Sequence, residues 1–203
     1  MLILGVVGGV ASGKSLVSEL FVQLGAERLD GDAAGHAALR DDTIKQQILQ
    51  RFGTDVFDSH HEIDRRALAK IVFAPTPAGR EALADLERIT HPRIGQLLDA
   101  QIAAARSAGR PAAVLDAAVM DKAGWDRRCD RIVFVDAPRE QRLARALLRG
   151  WSEEEFAQRE ASQSSVSEKQ ARADYTIDNS NSIESTRRQT IEYWNTLGLP
   201  IPH

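Results

Sequence analysis

The octapeptide Gly8-Gly9-Val10-Ala11-Ser12-Gly13-Lys14-Ser15 constrains this chain more than any other feature. It has the spacing G-x-x-x-x-G-K-[ST], and its flanks have the periodicity that a phosphate-binding loop requires. Before it, Leu2-Ile3-Leu4-Gly5-Val6-Val7 is a short apolar run that reads as a strand buried on both faces, as in a parallel sheet. After it, Leu16 to Leu24 places apolar residues at helical spacing and stops at Gly25. A second strand is predicted at about 26–30, which completes a βαβ unit. Glycines let the backbone turn tightly and approach an anion, so that consecutive N–H groups and the helix N-terminus face it.

Three more buried strands are predicted at 112–115, 131–135 and 175–177, ending at Asp116, Asp136 and Asp178. Between the second and third strands lie about eighty residues of mostly helical pattern, interrupted by Pro75, Pro77 and Pro92, more than one crossover helix needs. Strands separated by helices imply a three-layer α/β/α fold with a parallel sheet and right-handed crossovers. The expected organisation of the 203 residues is one P-loop kinase domain, 1–203, with a helical insertion at about 36–108 and a lid at about 145–172.

A formal charge of −3, from 26 basic and 29 acidic residues, supports neither a nucleic-acid coat nor a polybasic membrane anchor. The apolar opening run is too short for a signal peptide or a span. One cysteine, Cys129, rules out an intramolecular disulfide and suits a reducing compartment, so a soluble cytoplasmic protein is expected. No amphipathic stripe is long enough to demand a protein partner. The adjacent His60-His61 reads as part of a solvated loop rather than a metal site.

The loop predicts a nucleoside triphosphate with Mg²⁺: Gly9, Val10, Ala11, Ser12, Gly13, Lys14, Ser15 and Leu16 around the phosphates, Lys14 on the β/γ oxygens and the Ser15 hydroxyl on the metal. A guanine-specific switch protein needs Asn-Lys-x-Asp or Thr-Lys-x-Asp. The five lysines are preceded by Gly13, Ile44, Ala69, Asp121 and Glu168, so that element is missing. Asp30-Gly31-Asp32 falls at the carboxyl edge of the sheet, where ligands of open α/β folds bind. There Asp32 is a candidate base for a substrate hydroxyl. The alternative is a helix N-cap, because Asp32 precedes a helical run from Ala33. Asp116 closes another strand at that edge and is a candidate Mg²⁺ ligand, with structural capping as the alternative. Arg139, Arg142, Arg145 and Arg149 form one helical stripe that runs into Gly150 and a Glu-rich helix near Ser152. Beside a phosphate loop this reads as a closing lid, with Arg145 or Arg149 carrying charge to the transition state; a solvated face is the other reading.

Taken together, these residues resemble the dephospho-CoA kinase family over most of the chain. Its opening is matched by the phosphate loop, Leu24-Gly25 and Asp30-x-Asp32. Its middle is matched by Phe52-Gly53, Asp64-Arg65-Arg66-Ala67-Leu68 and His91-Pro92, and its end by Arg145, Arg149, Arg159, Gln163, Lys169, Ala173-Asp174 and Ile177-Asp178-Asn179. The loop alone is generic to many kinases; the ordered combination is much more specific. The resemblance implies transfer of the ATP γ-phosphoryl group to the ribose 3′-hydroxyl of dephospho-CoA. It implies Asp32 as base, Arg66 and His91 around the acceptor, and Arg145, Arg149 and Asn179 near ATP. Apart from the resemblance, His91 reads as a helix-boundary residue before Pro92. The chain departs from the family pattern at Ala118-Val119-Met120-Asp121-Lys122, at Arg149-Gly150 and at Leu16. Another small-molecule P-loop kinase and a silent ATP-binding module are the competing readings.

Overall fold

A computed structural model of the protein describes residues 1–116 and 124–201. The departure noted at Ala118 to Lys122, and the terminal His203, lie outside the described residues. The chain divides into two compact units, 1–30 with 102–203, and 31–101.

The first unit is built on a five-stranded parallel sheet of order β2-β3-β1-β4-β5, with β1 at Leu2–Gly8, β2 at Glu27–Asp30, β3 at Ala112–Asp116, β4 at Arg131–Asp136 and β5 at Tyr175–Asp178. In register, Val6 pairs with Asp116 and Asp30 with Asp116, while Gly8 pairs with Val135. The carboxyl ends of β1, β2 and β3 thus share one edge. All five strands fall where the alternation and turn residues predict them. The central strand β1 is buried on both faces because helices cover both, as its unbroken apolar run requires.

Helices α1 (Lys14–Gln23), α6 (Arg139–Leu148), α7 (Glu153–Ala161), α8 (Val166–Ala171) and α9 (Ile183–Thr196) belong to this unit. Leu4, Val6, Val17, Phe21, Val114, Val133, Ile177 and Trp194 form its main core. A second cluster joins Val10 and Ala11 of the phosphate loop to Ala146 of α6 and Phe156 of α7. Two capping boxes start the segment that follows α6, Ser152 with Glu155 for α7 and Ser165 with Glu168 for α8, which explains why such short, polar helices form.

The second unit is helical: α2 (Gly31–Ala38), α3 (Asp42–Phe52), α4 (Arg65–Val72) and the greater part of α5 (Pro77–Ser107). Asp41 and Asp64 cap α3 and α4 by accepting backbone N–H bonds from Thr43 and Ile44, and from Arg66 and Ala67. Ile44, Ile48, Val56, Leu68, Val72 and Ala82 form the core. The Asp85 carboxylate receives Arg51 and Arg88, which hold it below the usual carboxylate range.

The structure corrects two local expectations. Pro77 opens α5, as a proline at the first helical position can. Pro92, however, does not interrupt it: the helix runs through, and His91 lies inside it rather than at a boundary. The ring withholds one N–H from the Arg88 carbonyl, but the buried Ile94 and Leu98 that follow anchor the next turns. Likewise α2 begins at Gly31, so Asp32 sits in its first turn and is not the residue before it.

Trp194 is wholly buried, tilts against Phe21 at 6.2 Å between ring centroids, and donates its Nε1–H to the Pro200 carbonyl at 3.1 Å. Trp194→Ala is expected to cost about 3–5 kcal/mol, read as a lower urea midpoint with unchanged far-UV spectrum at zero denaturant.

Candidate active site

The phosphate loop is shaped by what holds its carbonyls. In a trans peptide the C=O of one residue and the N–H of the next point in opposite directions, so a carbonyl held outward turns the following N–H inward. The Ser12 carbonyl accepts from Asn179 Nδ2 at 2.7 Å and from Arg145 Nη1 at 3.1 Å. The Val10 carbonyl accepts from Arg142 Nη1 at 3.2 Å. Gly9 O accepts the Ser12 N–H at 3.2 Å and Lys14 Nζ at 3.1 Å. Gly8 O lies 3.4 Å from both Lys14 Nζ and Lys169 Nζ. The N–H groups of Gly9, Val10, Ala11 and Gly13 are directed accordingly, and Ala11 takes a left-handed conformation (φ 59°) rare outside such nests.

Close approach demands glycine at two positions of the loop: a Cβ on Gly13, which also has φ 102°, would lie 2.0 Å from Asn179 Nδ2, and one on Gly8 would lie 2.6 Å from the Val135 carbonyl oxygen. α1 then starts with no side-chain cap and no acid in its first turn, which leaves its positive end to an anion. Ser12 is fully buried and its hydroxyl has no protein partner, an unsatisfied donor inside the loop. Leu16 donates its N–H to Gly13 O at 3.0 Å, which closes the first turn.

Lys14 is withdrawn from solvent, and this desolvation is the main reason its ammonium is pushed down to about 8. Asp116 acts in the opposite sense, while Lys169, Arg142 and Arg149 push the same way as burial. The predicted arginine stripe therefore resolves into separate tasks. Arg142 is buried, and besides Val10 it bonds the Ala137 carbonyl at 3.1 Å and Glu160 at 2.6 Å. Arg145 joins Ser12 to the Asn179 carbonyl at 2.7 Å. Arg139 pairs with Glu160 at 3.0 Å. Arg149 is the exposed residue that ends α6.

Asn179 is buried, and Thr186 of α9 donates to its Oδ1 at 2.8 Å, so its amide nitrogen is presented to Ser12. Sequence reasoning placed Arg142 in the stripe but favoured Arg145 and Arg149, and it left out Thr186 and Glu160. The stripe held a signal for Arg142 in its position on the apolar side of α6; nothing in the spacing pointed to Thr186, 174 residues from the loop it supports.

The residues that would meet Mg²⁺ have suitable chemistry. Ser15 shows an exposed hydroxyl in the first turn of α1, and the carboxylate of Asp116 lies close enough to Lys14 to act on its charge. Both are hard oxygen donors, the kind this ion takes alongside waters and phosphate oxygens.

In the helical unit, Asp32 is exposed in the first turn of α2. His91 is half-buried; burial lowers its basicity and Glu87, one turn away, partly offsets this. A cavity of about 300 Å³ is lined by His36, Leu39, Arg40, Glu62, Ile63 and Arg65. Neither Arg66 nor His91 lines it. Arg65, the neighbour of the arginine singled out in the sequence, does.

Against known proteins, residues 2–185 match the family model described as Dephospho-CoA kinase. A dephospho-CoA kinase of Symbiobacterium thermophilum is 41% identical over 198 residues, covering 96% of this chain and 80% of the relative. One from Syntrophotalea carbinolica is 38% identical over 209 residues, covering 100% and 97%. Among solved structures, a Thermus thermophilus protein superposes with a TM-score of 0.81 at 30% identity, over 97% of both chains.

Because Lys14 must be protonated to meet phosphate oxygens, and raising the pH removes its proton, kcat/KM for ATP should fall as the pH rises through about 8. In a pH profile, the Lys14→Arg variant, always charged, should lack that alkaline limb even at a reduced rate.

Proposed function

This chain belongs to the dephospho-CoA kinase family and is an ATP-dependent kinase, and we propose that its residues divide the transfer of the γ-phosphoryl group to the ribose 3′-hydroxyl of dephospho-CoA as follows. The observation that carries the reading is the loop itself: three carbonyls held by distant donors, a buried unpartnered Ser12 hydroxyl and a desolvated Lys14 ammonium all serve one anion. Gly9 to Leu16 take the ATP phosphates. Lys14 stabilises charge on the β/γ oxygens, where water exclusion makes it strongest. Asn179 and Arg145 keep the loop in shape beneath the nucleotide.

Ser15 and Asp116 would hold Mg²⁺, which supplies charge neutralisation on the phosphates when bound. Asp32, two residues past the end of β2, accepts the proton of the attacking hydroxyl. The helical unit 31–101 serves as the acceptor-binding insertion within a single kinase domain. In it Arg66 and His91 contact dephospho-CoA, and Arg40 and Arg65, which line a cavity together with Glu62, are suited to the acceptor's diphosphate. Residues 145–172, from the end of α6 through α8, act as the lid, with Arg149 reaching the γ-phosphate. No helix among the described residues is long and apolar enough to cross a membrane. Burial pushes the Cys129 thiol up to about 12, an inert group that suits the cytoplasm we assign. Small-molecule substrates, ATP and dephospho-CoA, are the partners, with no role for nucleic acid or a membrane.

The reading is tested by mass spectrometry of the products formed from ATP, Mg²⁺ and a mixture of acceptors. A phosphorylated dephospho-CoA is expected; ATP turnover with every acceptor untouched would overturn it. Asp32→Asn keeps the size of an exposed residue, so its melting should stay within about 1 kcal/mol of wild type while kcat falls roughly 10²–10⁴-fold. Nucleotide affinity should hold, since the loop and not this carboxylate binds the phosphates. For the lid, Arg149→Ala is expected to lower kcat by about ten-fold or more, since a charge at the transferring group is lost. Arg139→Ala, which removes an exposed pair with Glu160 and a cation–π contact with Phe156, should change kcat less than about two-fold. Equal small effects would return Arg149 to a solvated role.

A further inference from the structure

Lys169 is a charged residue that burial and geometry single out, yet none of the roles above uses it. It lies on α8, has 7% relative exposure, and carries its ammonium 161 residues along the chain to within 3.4 Å of the Gly8 carbonyl. It also donates to Gln163 Oε1 at 2.8 Å, in the connection between α7 and α8. Lys14 donates to the same Gly8 carbonyl and to that of Gly9.

Any lysine that serves the β/γ oxygens of a nucleotide has to give up such backbone contacts. Each of the two carbonyls that Lys14 would release has a second donor already in place. For Gly9 it is the Ser12 N–H; for Gly8 it is Lys169. A buried carbonyl left without a donor would be free to rotate, and the N–H of the next residue would turn with it.

We propose that Lys169 is a positioning residue for phosphoryl transfer: it keeps the Gly8 carbonyl held when Lys14 turns to the nucleotide, and so keeps the Gly9 N–H aimed at the phosphates. The assignment rests on the functional reading of this loop given above. Lys169 also couples α8 to the loop. A lid segment that shifts α8 would shift a loop peptide with it, so lid position and phosphate geometry are linked through one side chain.

The test compares wild type, Lys169→Met and Lys169→Gln in transfer to dephospho-CoA and in ADP affinity, with melting of each. Methionine removes bond and charge at similar length, and glutamine keeps an amide donor without the charge. Lys169→Met is expected to lose about ten-fold or more in kcat. Lys169→Gln should recover part of that loss, which a residue that only packs α8 would not show. Wild-type kcat in Lys169→Met, or a Lys169→Gln variant no faster than Lys169→Met, overturns the assignment. If the methionine variant fails to fold, the glutamine variant carries the reading, and wild-type kcat in it is the overturning result. Wild-type protein inert towards dephospho-CoA would count against the functional reading alone. ADP affinity is then compared, and equal affinity in wild type and the folded variants overturns the role of Lys169.

Discussion

The phosphate loop depends on donors that reach its carbonyls from far along the chain. Arg142 and Arg145 come from α6, Lys169 from α8, and Asn179 from the turn after β5. Without them, nothing local would stop those carbonyls from turning inward, where they would repel an anion instead of attracting it. Much of the sheet's far half can be understood from this need. β4 and β5 deliver α6 and Asn179 to the loop, and Asn179 is itself tied to the sheet by its N–H on the Asp136 carbonyl at 2.8 Å.

This arrangement concentrates positive charge. Lys169, Arg142 and Arg149 all act on Lys14, in a loop with no acidic residue of its own, and Asp116 is the acid that offsets them there. Burial lowers the basicity of Lys14 further. Such a site is poised to gain from a polyanion: each phosphate oxygen that arrives relieves repulsion as well as making bonds. Arg142 escapes the cost of burial because Glu160, the Val10 and Ala137 carbonyls and the face of Phe156 surround its guanidinium. The aromatic ring belongs to α7, so that helix is held by the same cation that shapes the loop.

The helical unit is organised on different terms. Its helices are started by local side-chain caps, Asp41 and Asp64, and joined by an apolar core of modest size. Its polar features are surface pairs such as Lys45 with Glu62 at 2.6 Å, and a cavity whose lining includes Arg40, Arg65 and Glu62.

The sequence by itself determined the sheet unit's elements and the position of the loop. Its strands are continuous apolar runs closed by acids, and the G-x-x-x-x-G-K-[ST] spacing has few physical uses other than a phosphate nest. Local rules were enough there because each depends on neighbours within a few residues. They offered a cap as the alternative to Asp32 as base and read His91 as a boundary, and neither holds, since one residue of helix extension, or a proline carried by buried neighbours, is decided by packing rather than propensity. Only the tertiary structure decided which members of the arginine stripe face the loop, that Asn179 needs Thr186 to orient its amide, and that Lys14 and Lys169 meet at one carbonyl. Those facts rest on contacts between residues more than a hundred positions apart, on how the turn after β5 folds back against the start of α9, or on which face of a helix the core covers, and spacing along the chain does not encode a distance across the fold.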